Sequence, residues 1–419
     1  MFILATICIS CLICFALLNL YWGHQIARLY QAHLNRAEDS TYTPKATVLL
    51  SLRGNDPFLV NCLSGLLNQN YPDYKVRIII DHLDDPAYAF VTQYLAEHSH
   101  PHCQVSIREA TDGTCGLKNA SLVQAIQDLD DEVEVVAWLD ADVVPHRNWL
   151  RDLVAPLQNP RVGVTSGIRW YAPRHANPGT MIRHAWNTGA LLQMLSLDIA
   201  WGGSIALSRE VFQSPLLKET LSRILWEDTG LKAVASQLDR ELVFVPAATM
   251  VNAESIPFQS CFRYMSRQLV NVRLYHSRWW LIAGLGLMMA SVQTILLILI
   301  GLFLAQGNLL AAGVSAGAML AASGCVALAI YRISLLIHQT IRARGDDYQR
   351  KPLQTLFYLW ITLYIFCGAI IAALRTKSID WRGVHYQISG PFDVRITHYE
   401  PYQEPATTSK QVELDFISL

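Results

Sequence analysis

Two short acidic motifs in this chain have residue types and a spacing that suit chemistry. Asp140-Ala141-Asp142 directly follows the apolar run Val133–Leu139, and Glu227-Asp228 lies further along the chain. A buried strand that ends in Asp-x-Asp places both carboxylates at the carboxyl edge of a sheet, where open α/β folds bind ligands. Asp140 and Asp142 are therefore predicted ligands of a divalent cation, Mg²⁺ or Mn²⁺, that also binds phosphate oxygens. Glu227 and Asp228 are the predicted catalytic carboxylates, suited to take a proton from an incoming hydroxyl.

Three other polar segments follow predicted strands. Arg53 follows the first strand, Asp84 and Asp85 follow the second, and Lys118 begins a helix after the third. The acidic turn can accept hydrogen bonds from a base or a ribose, and a lysine near a helix N-terminus can face a phosphate. Together with the cation Arg53, these residues are therefore predicted nucleotide-sugar contacts. Each segment also fits an ordinary turn or helix start. Their joint position at one sheet edge favours a binding site.

The elements that must position these side chains alternate between apolar runs and helical stretches. The predicted strands are Val48–Leu50, Val76–Ile80, Val105–Ile107, Val133–Leu139 and Val162–Thr165. The predicted helices between them are Phe58–Asn68, Ala87–His98 and Leu117–Leu129. Continuous apolar strands indicate a sheet covered on both faces, and strands separated by helices indicate right-handed βαβ crossovers. The pattern predicts a doubly wound α/β domain over residues 44–255.

Both ends of the chain are apolar enough to cross a membrane. Phe2–Tyr21 carries no charge, which predicts an uncleaved anchor helix over residues 1–23. Trp280–Leu304, Leu309–Ile330 and Leu353–Leu374 predict about three further spans over residues 280–375. The basic residues after the anchor are His24, Arg28, Arg36 and Lys45. By the positive-inside rule they predict a multi-pass membrane protein whose catalytic domain is cytoplasmic.

Two segments flank the C-terminal membrane block. Residues 256–279 are predicted to form an amphipathic segment at the membrane interface, and residues 376–419 a polar tail. Counting crossings puts the tail outside, whereas its basic residues favour the inside. The count of crossings and the basic residues would place the tail on the same side if Leu353–Leu374 were re-entrant, or if Ile333–Ile341 were more than an interfacial helix. The sequence leaves the side of the tail open.

Composition narrows the class of protein. Of the 419 residues, 52% are hydrophobic and only 16% are charged, and the net charge is −1. With no basic stripe interleaved with aromatic residues, a nucleic-acid partner is not expected. Cys8, Cys11 and Cys14 lie within the anchor, and the remaining cysteines are scattered, as in a reducing compartment. No feature of the sequence indicates an oligomeric state.

Several motifs resemble those of ceramide glucosyltransferases, membrane members of the inverting glycosyltransferases related to family 2. The segments concerned are Leu52-Arg53-Gly54-Asn55-Asp56-Pro57-Phe58-Leu59, Gln69-Asn70-Tyr71-Pro72-Asp73-Tyr74 and Asp84-Asp85-Pro86-Ala87. The resemblance runs from the anchor to the last span. It implies a Rossmann-like GT-A catalytic domain between membrane segments, a UDP-sugar donor (glucose ahead of other sugars), a lipid acceptor and contact with membrane lipids.

The resemblance also assigns roles to single positions. Asp85, Asp140 and Asp228 match the three aspartates of the family, the last being its catalytic base. Asp142 completes an Asp-x-Asp that ceramide glucosyltransferases tend to lack. The implied reaction is a single displacement with inversion, in which the metal offsets the charge of the leaving UDP and Asp228 takes the proton of the acceptor hydroxyl.

Two later segments complete the comparison. Trp201-Gly202-Gly203 matches a segment near the acceptor and the diphosphate. Arg267 matches the arginine of a Gln/Arg-x-x-Arg-Trp motif whose neighbours are replaced here, and Arg263 is a second predicted diphosphate contact. Ile379-Asp380-Trp381-Arg382-Gly383 resembles a Trp-Arg-x-Gly element of the family tail, without a predicted role.

Some alternatives stay open at this point. The apolar segment His184–Leu197 fits either an acceptor site or plain core packing. A processive polysaccharide synthase would share the domain and the membrane block, but is expected to keep the intact Arg-Trp motif. A non-catalytic membrane partner is expected to lose the aspartates, and their presence favours an enzyme.

Overall fold

The computed structural model describes residues 1–35 and 40–403 of the chain. Arg36, one of the basic residues behind the predicted orientation, lies outside the described residues. Residues 404–419 of the predicted tail lie outside them as well.

A seven-stranded mixed sheet forms the centre of the catalytic domain. Its strands are β1 Ala46–Leu52, β2 Tyr74–Ile80, β3 Cys103–Ile107, β4 Val135–Leu139, β5 Val162–Tyr171, β6 Ser204–Ser208 and β7 Glu241–Asn252, in the order β3-β2-β1-β4-β6-β5-β7. The five predicted strands are all present. Their apolar runs are continuous because both faces of the sheet are covered: Val48 and Leu50 belong to one buried cluster and Leu49 to another.

One strand departs from the predicted parallel topology. β6 runs antiparallel to both β4 and β5, with Leu139 paired to Ser204. Because β6 is reversed, it begins at the edge where β4 ends. The segment that precedes it, Trp201–Gly203, therefore lies beside Asp140, whose backbone N–H points to the Gly203 carbonyl at 3.4 Å.

The helices of the described residues fall into two groups. Those of the catalytic domain are α2 Leu59–Leu67, α3 Pro86–Glu97, α4 Leu117–Gln127, α5 Trp149–Val154, α6 Pro178–Ser196, α7 Arg209–Phe212, α8 Pro215–Leu221, α9 Leu231–Gln237 and α10 Phe258–Tyr275. The apolar ones are α1 Phe2–Leu34, α11 Trp279–Ala305, α12 Leu309–Ala343 and α13 Pro352–Arg375. All three predicted helices of the domain are present, and α10 occupies the predicted interface segment. Ile333–Ile341 is the continuation of α12 rather than a separate helix.

The four apolar helices are each long and apolar enough to cross a membrane. Three of them, α1, α11 and α12, share a far end, where the rings of Phe2 and Phe303 are 5.2 Å apart. Their other ends meet the catalytic domain. There the Tyr30 hydroxyl lies 2.9 Å from Thr249 Oγ1 of β7, and Arg344, just after α12, donates to the Thr249 carbonyl at 2.7 Å.

The fourth apolar helix, α13, is arranged differently, because both of its ends contact the catalytic domain. Its first turn, at Pro352 and Thr355, shares a small cavity with His184 of α6. At its last turn, Arg273 of α10 donates to the carbonyls of Leu374 and Thr376 at 3.1 and 2.9 Å. The segment after α13 therefore packs against the catalytic domain.

The described part of the predicted polar tail is a folded unit. Its strands β8 Ser378–Trp381, β9 Val384–Gly390 and β10 Asp393–Tyr399 form an antiparallel sheet, which we call the tail sheet. Alternate side chains, Val384, Tyr386 and Ile388, are buried, as expected for a sheet with one covered face. Polar residues on the other face give the segment its polar composition.

Candidate active site

A cleft lies at the sheet edge where β1, β2 and β4 end and β6 begins. We call it the donor cleft. It is lined by Arg53, Asp56, Asp81, Lys118, Asp140, Asp142, Arg169, Trp201, Gly202, Glu227, Asp228 and Arg267, together with residues of the tail sheet. The cleft thus brings together every predicted site residue except Asp84, Asp85, Gly203 and Arg263.

Two cations hold the Asp-x-Asp carboxylates. Lys118 Nζ lies 2.6 Å from Asp140 Oδ1, and one terminal nitrogen of Arg169 lies 3.1 Å from Asp140 Oδ2 and 2.9 Å from Asp142 Oδ1. Burial acts to raise the pKa of Asp140, but Lys118 and Arg169 outweigh it and hold that pKa below its ordinary value. At Asp142 burial prevails over Arg169, and the pKa is raised. The pKa values of the two carboxylates are therefore shifted in opposite directions, with Asp140 the more acidic of the pair.

Glu227 is buried beside the same lysine. Its Oε1 lies 2.5 Å from Lys118 Nζ. Burial raises the pKa of Glu227 to about 7, with Lys118 opposing the shift and Asp228 adding to it. Burial also acts to lower the pKa of Lys118, yet Asp140 and Glu227 keep it above its ordinary value. Lys118 thus forms ion pairs with both acidic motifs, and its ion pair with Glu227 holds the ammonium group beside Asp140.

Glycine is required at positions 202 and 203, because a larger residue would collide with the carboxylates of Glu227 and Asp140. A Cβ on Gly202 would lie 2.3 Å from Glu227 Oε1. A Cβ on Gly203 would lie 2.2 Å from the Trp201 ring and 2.8 Å from Asp140 Oδ2. The two glycines, predicted to lie near the acceptor, let backbone approach both acidic motifs.

Asp228 is held by four hydrogen bonds, one of them from the Thr229 hydroxyl to Asp228 Oδ1 at 3.3 Å. Its Oδ1 accepts from the Thr229 backbone N–H and from Asn271 Nδ2, both at 2.7 Å, and its Oδ2 accepts from the Gly202 N–H at 3.2 Å. These donors fix the plane of the carboxylate, and its Oδ2 accepts only one of the hydrogen bonds. Asp228 is therefore placed to receive a proton from a hydroxyl that enters the cleft.

One face of α10 closes the cleft. Tyr264, Arg267, Gln268 and Asn271 follow the i, i+3, i+4, i+7 spacing of a single helical face, and all four line the cleft. Arg263 is exposed and contacts Ser260, so the structure does not bring it to the cleft. Burial lowers the pKa of Arg267. A buried guanidinium of this kind is suited to bind a diphosphate.

The nucleotide end of the cleft differs from the prediction in its acidic residues. Asp81 lines it and binds both Arg53 and Arg108. Asp85 instead lies outside, where its carboxylate accepts from the Gly54 N–H at 2.9 Å and, at the start of α3, from the Ala87 N–H at 2.9 Å. Asp84 is exposed beside His82. Asp85 thus shapes the turn after Arg53, and Asp81 supplies the carboxylate that faces the cleft.

Sequence reasoning missed several residues of the cleft, among them Asp81, Asn271 and Arg169. Asp81 directly follows β2, the same signal that singled out Asp140 after β4. Asn271 lies one helical turn beyond Arg267, so the helical period could have found it. Arg169 is a lone charge within the apolar run of β5; its guanidinium is 4.7 Å from the Trp201 ring centroid. Only the pairing of strands shows that it reaches the Asp-x-Asp pair.

The acidic pair is compatible with a divalent cation. Among residues 1–35 and 40–403, no group of three or more His, Cys, Asp or Glu side chains is arranged to hold a metal ion. Asp140 and Asp142 alone, held side by side by Arg169, fit a hard cation that takes its other ligands from water and a diphosphate. Such a cation, when bound, would offset charge on a leaving phosphate.

A second, apolar cavity opens from the donor cleft. We call it the apolar chamber. It is lined by α6 over residues 185–195 and by α1, α10, α11, α12 and α13, with side chains that include Leu12, Phe15, Leu191, Ile282, Met289, Val326, Leu359 and Phe366. Chamber and cleft share Arg169, Trp201, Asp228, Tyr264, Gln268 and Asn271. The segment His184–Leu197 packs in the core, with Leu191 and Leu192 in a buried cluster, and it also lines the chamber.

Taken together, the sheet, the acidic motifs and the charged cleft define a glycosyltransferase that uses a nucleotide sugar. Residues 6–391 match the family described as glycosyl transferase family 21, and the chain belongs to that family. This confirms the resemblance to ceramide glucosyltransferases, the GT-A fold class and the prediction of an enzyme.

Solved structures give more distant likenesses. The mannosyltransferase PcManGT from Pyrobaculum calidifontis, in complex with GDP-Man and Mn²⁺, is 17% identical, with a TM-score of 0.47 over 87% of this chain and 99% of that one. S. aureus TarS residues 1–349 are 16% identical, with a TM-score of 0.37 over 86% of this chain and all of that one. GalNAc-T7 with UDP, GalNAc and Mn²⁺ is 13% identical, with a TM-score of 0.39 over 57% of this chain and 49% of that one.

Proposed function

We propose that this protein transfers a hexose, with glucose as the first candidate, from a UDP-sugar to the hydroxyl of a membrane lipid, and inverts the anomeric configuration. The observation that carries the proposal is the junction at Asp228. There a charged cleft suited to a nucleotide diphosphate meets an apolar chamber built from the membrane helices. A soluble acceptor would not need such a chamber.

The chamber has the features of a lipid site. Its walls are side chains of α1, α6 and α10 to α13, so a lipid tail could remain in an apolar environment while its hydroxyl reaches Asp228. Three polar atoms in its lining, Asn271 Oδ1, Gln293 Oε1 and Thr362 Oγ1, are buried without a hydrogen-bond partner within the described part of the chain. Buried polar atoms without partners suit a lipid that brings its own donors near the reacting hydroxyl.

The reaction uses the two sides of the junction together. Asp228 accepts the proton of the lipid hydroxyl as its oxygen attacks the anomeric carbon of the sugar. The bond from that carbon to the phosphate oxygen breaks on the opposite face, and UDP leaves with the electron pair. Lys118, Arg169 and Arg267 provide the positive charge that stabilises the departing diphosphate. Mg²⁺ or Mn²⁺ held by Asp140 and Asp142 would add to this charge.

The catalytic domain is proposed to face the cytoplasm. The domain ends of α12 and α13 carry Arg342, Arg344, Arg350 and Lys351, as the positive-inside rule expects. A Gln306→Cys variant places a thiol at the far end of α11. This thiol should react with a membrane-impermeant maleimide from outside intact cells, above the background of the unchanged chain; reaction only after lysis contradicts the orientation.

The product assay tests the function directly. The detergent-solubilised full chain is incubated with labelled UDP-sugars, Mg²⁺ or Mn²⁺ and a mixed lipid extract. A labelled product that partitions into organic solvent is expected from the wild type and from the control Asp198→Asn, which alters only a surface aspartate paired with Lys232. It should be absent from Asp228→Asn. A labelled water-soluble polymer would establish a polysaccharide synthase instead, and no turnover with any donor would contradict the proposal.

A further inference from the structure

The tail sheet contacts each loop of the nucleotide end of the donor cleft. Arg53, after β1, donates from Nε and a terminal nitrogen to the Arg382 carbonyl at 3.1 and 2.6 Å. The backbone N–H of Ile396 donates to the Gly113 carbonyl at 2.7 Å, and the N–H of Leu117, where α4 starts, donates to the Tyr386 hydroxyl at 3.3 Å. These loops are the ones that the sequence pattern assigns to the nucleotide.

The contact with Arg53 is reciprocal and saturates this side chain. Arg382 donates back to the Arg53 carbonyl and forms an ion pair with Asp56 at 3.2 Å. Arg53 also donates to the Glu400 carbonyl at 2.5 Å, pairs with Asp81, and lies 5.2 Å from the ring centroid of Tyr399. Arg53 is therefore a buried connection between the first nucleotide loop and the tail sheet, with few donors left for a ligand.

The turn between β8 and β9, which makes the contact with Arg53, has an unusual backbone conformation. Arg382 and Gly383 separate β8 from β9 and have φ values of 50° and 78°. Two successive positive φ values are the mark of the type I′ hairpin turn, which points the Arg382 carbonyl away from the tail sheet. Trp381, just before the turn, lines the donor cleft together with Ile379, Arg382 and Tyr386.

Trp381 keeps an exposed surface at this end of the cleft, with the Arg382 guanidinium 5.6 Å from the centroid of its ring. Phe58 is 3% exposed, and Tyr386 is 2% exposed with its hydroxyl already bound to Leu117. Trp381 is only half-buried. An indole at the rim of a pocket that is also lined by backbone groups suits a planar base that is both stacked and hydrogen-bonded.

We infer that the tail sheet is part of the donor site and that Trp381 is a nucleotide-binding residue on which the base of the sugar nucleotide stacks. The inference rests on the proposed use of a UDP-sugar. It assigns roles within Trp381-Arg382-Gly383: the tryptophan contacts the base, and Arg382 holds the loop after β1. The tail sheet thus completes the cleft from a segment more than 300 residues away from Arg53 in the chain.

Binding of UDP to the full-length solubilised protein tests the inference. Trp381→Ala should weaken UDP binding by about 5- to 100-fold, the usual loss when one aromatic platform beneath a base is removed. Trp381→Phe should retain most of the affinity. Phe392→Ala is the matched control, because Phe392 lies on the same tail sheet but packs against Tyr275 outside the cleft. The donor KM should rise in Trp381→Ala while the lipid KM stays constant.

A second measurement needs no variant. In the wild type, UDP should slow amide hydrogen exchange in residues 378–388 and leave residues 390–394 unchanged. Wild-type binding of UDP without these effects, or equal affinity in Trp381→Ala, overturns the role of the tail sheet while the proposed function stands. If the wild type binds no nucleoside diphosphate, both proposals fail.

Discussion

The donor cleft and the apolar chamber meet at Asp228 but are built in opposite ways. The cleft is formed by loops at the edge of the sheet and by the tail sheet, and its charges are paired in advance, with Lys118 and Arg169 on the Asp-x-Asp carboxylates. The chamber is formed by helices, and three polar atoms in its lining, Asn271 Oδ1, Gln293 Oε1 and Thr362 Oγ1, have no hydrogen-bond partner among the described residues. A charged ligand needs a neutralised, fixed site, whereas a lipid needs space and a low-polarity wall.

The comparison predicts that the two cavities can be impaired separately. Changes in the cleft should affect binding or departure of the nucleotide, changes in the chamber should affect the lipid, and only changes at the junction should stop the reaction with both substrates bound. The following variants, ordered from the largest expected effect to the smallest, test this separation.

Asp228→Asn should lower kcat by about 10²- to 10⁴-fold, because the variant removes the proton acceptor at the junction. UDP affinity should stay within a few-fold of the wild type, since the nucleotide lies in the cleft. Single-turnover rates and UDP titration measure the two quantities. A variant with normal kcat would show that Asp228 is not the base and that the cavities do not meet at the reacting centre.

Gly202→Ala should lower kcat by about 100-fold, the scale of effect expected when reacting groups shift by an ångström. Its Cβ would lie 2.3 Å from Glu227 Oε1 and so must displace a carboxylate. The control is Gly230→Ala, whose Cβ would meet only the Ile224 side chain at 3.6 Å. Equal activity of the two variants would show that the spacing at the junction does not matter.

Arg267→Ala should raise the donor KM or lower kcat by about 10- to 100-fold, the loss expected for one charge-assisted hydrogen bond to a phosphate. Arg263→Ala, on the same helix but exposed, should stay within twofold of the wild type. Steady-state kinetics with varied UDP-sugar distinguish them. If Arg263→Ala proves the more damaging, the orientation of α10 in the cleft is wrong.

Gly189→Phe should raise the lipid KM by on the order of tenfold, since a large side chain would fill part of the chamber. Gly189 lines the chamber, and a Cβ there would meet nothing within 4 Å. Gly189→Ala should therefore be near neutral. UDP binding should be unchanged in both, and a weakened affinity for UDP would mean that the two cavities are coupled.

The pH profile should show a few-fold rise in kcat/KM through the pKa of Glu227, about 7, as the ionised carboxylate pairs with Lys118. Glu227→Gln should lack this step.

The ordinary pKa of the Glu227 side chain is 4.5, so the folded protein keeps a proton that the unfolded chain has lost between pH 4.5 and about 7. The contribution of Glu227 to stability is thus present below pH 4.5 and disappears as the pH rises through that window.

Much of the cleft could be predicted from local sequence. Asp140, Asp142 and Lys118 each come at the end of a strand or the start of a helix, and a parallel sheet places such positions at one edge. Asp84 and Asp85 were placed at the cleft because the turn after β2 is acidic throughout. The sequence does not show which of its carboxylates would cap α3 and which would face the ligand.

The sequence by itself determined five of the seven strands of the central sheet, the apolar helices, the two acidic motifs and the family, because these depend on the period of apolar residues and on short spacings. Only the tertiary structure decided that β6 is reversed, that both ends of α13 return to the domain, and that Trp381 lines the cleft. The reason is physical: the period of a segment fixes which face it buries. Which other segment packs against that face depends on contacts between segments hundreds of residues apart, and no local sequence pattern specifies those contacts.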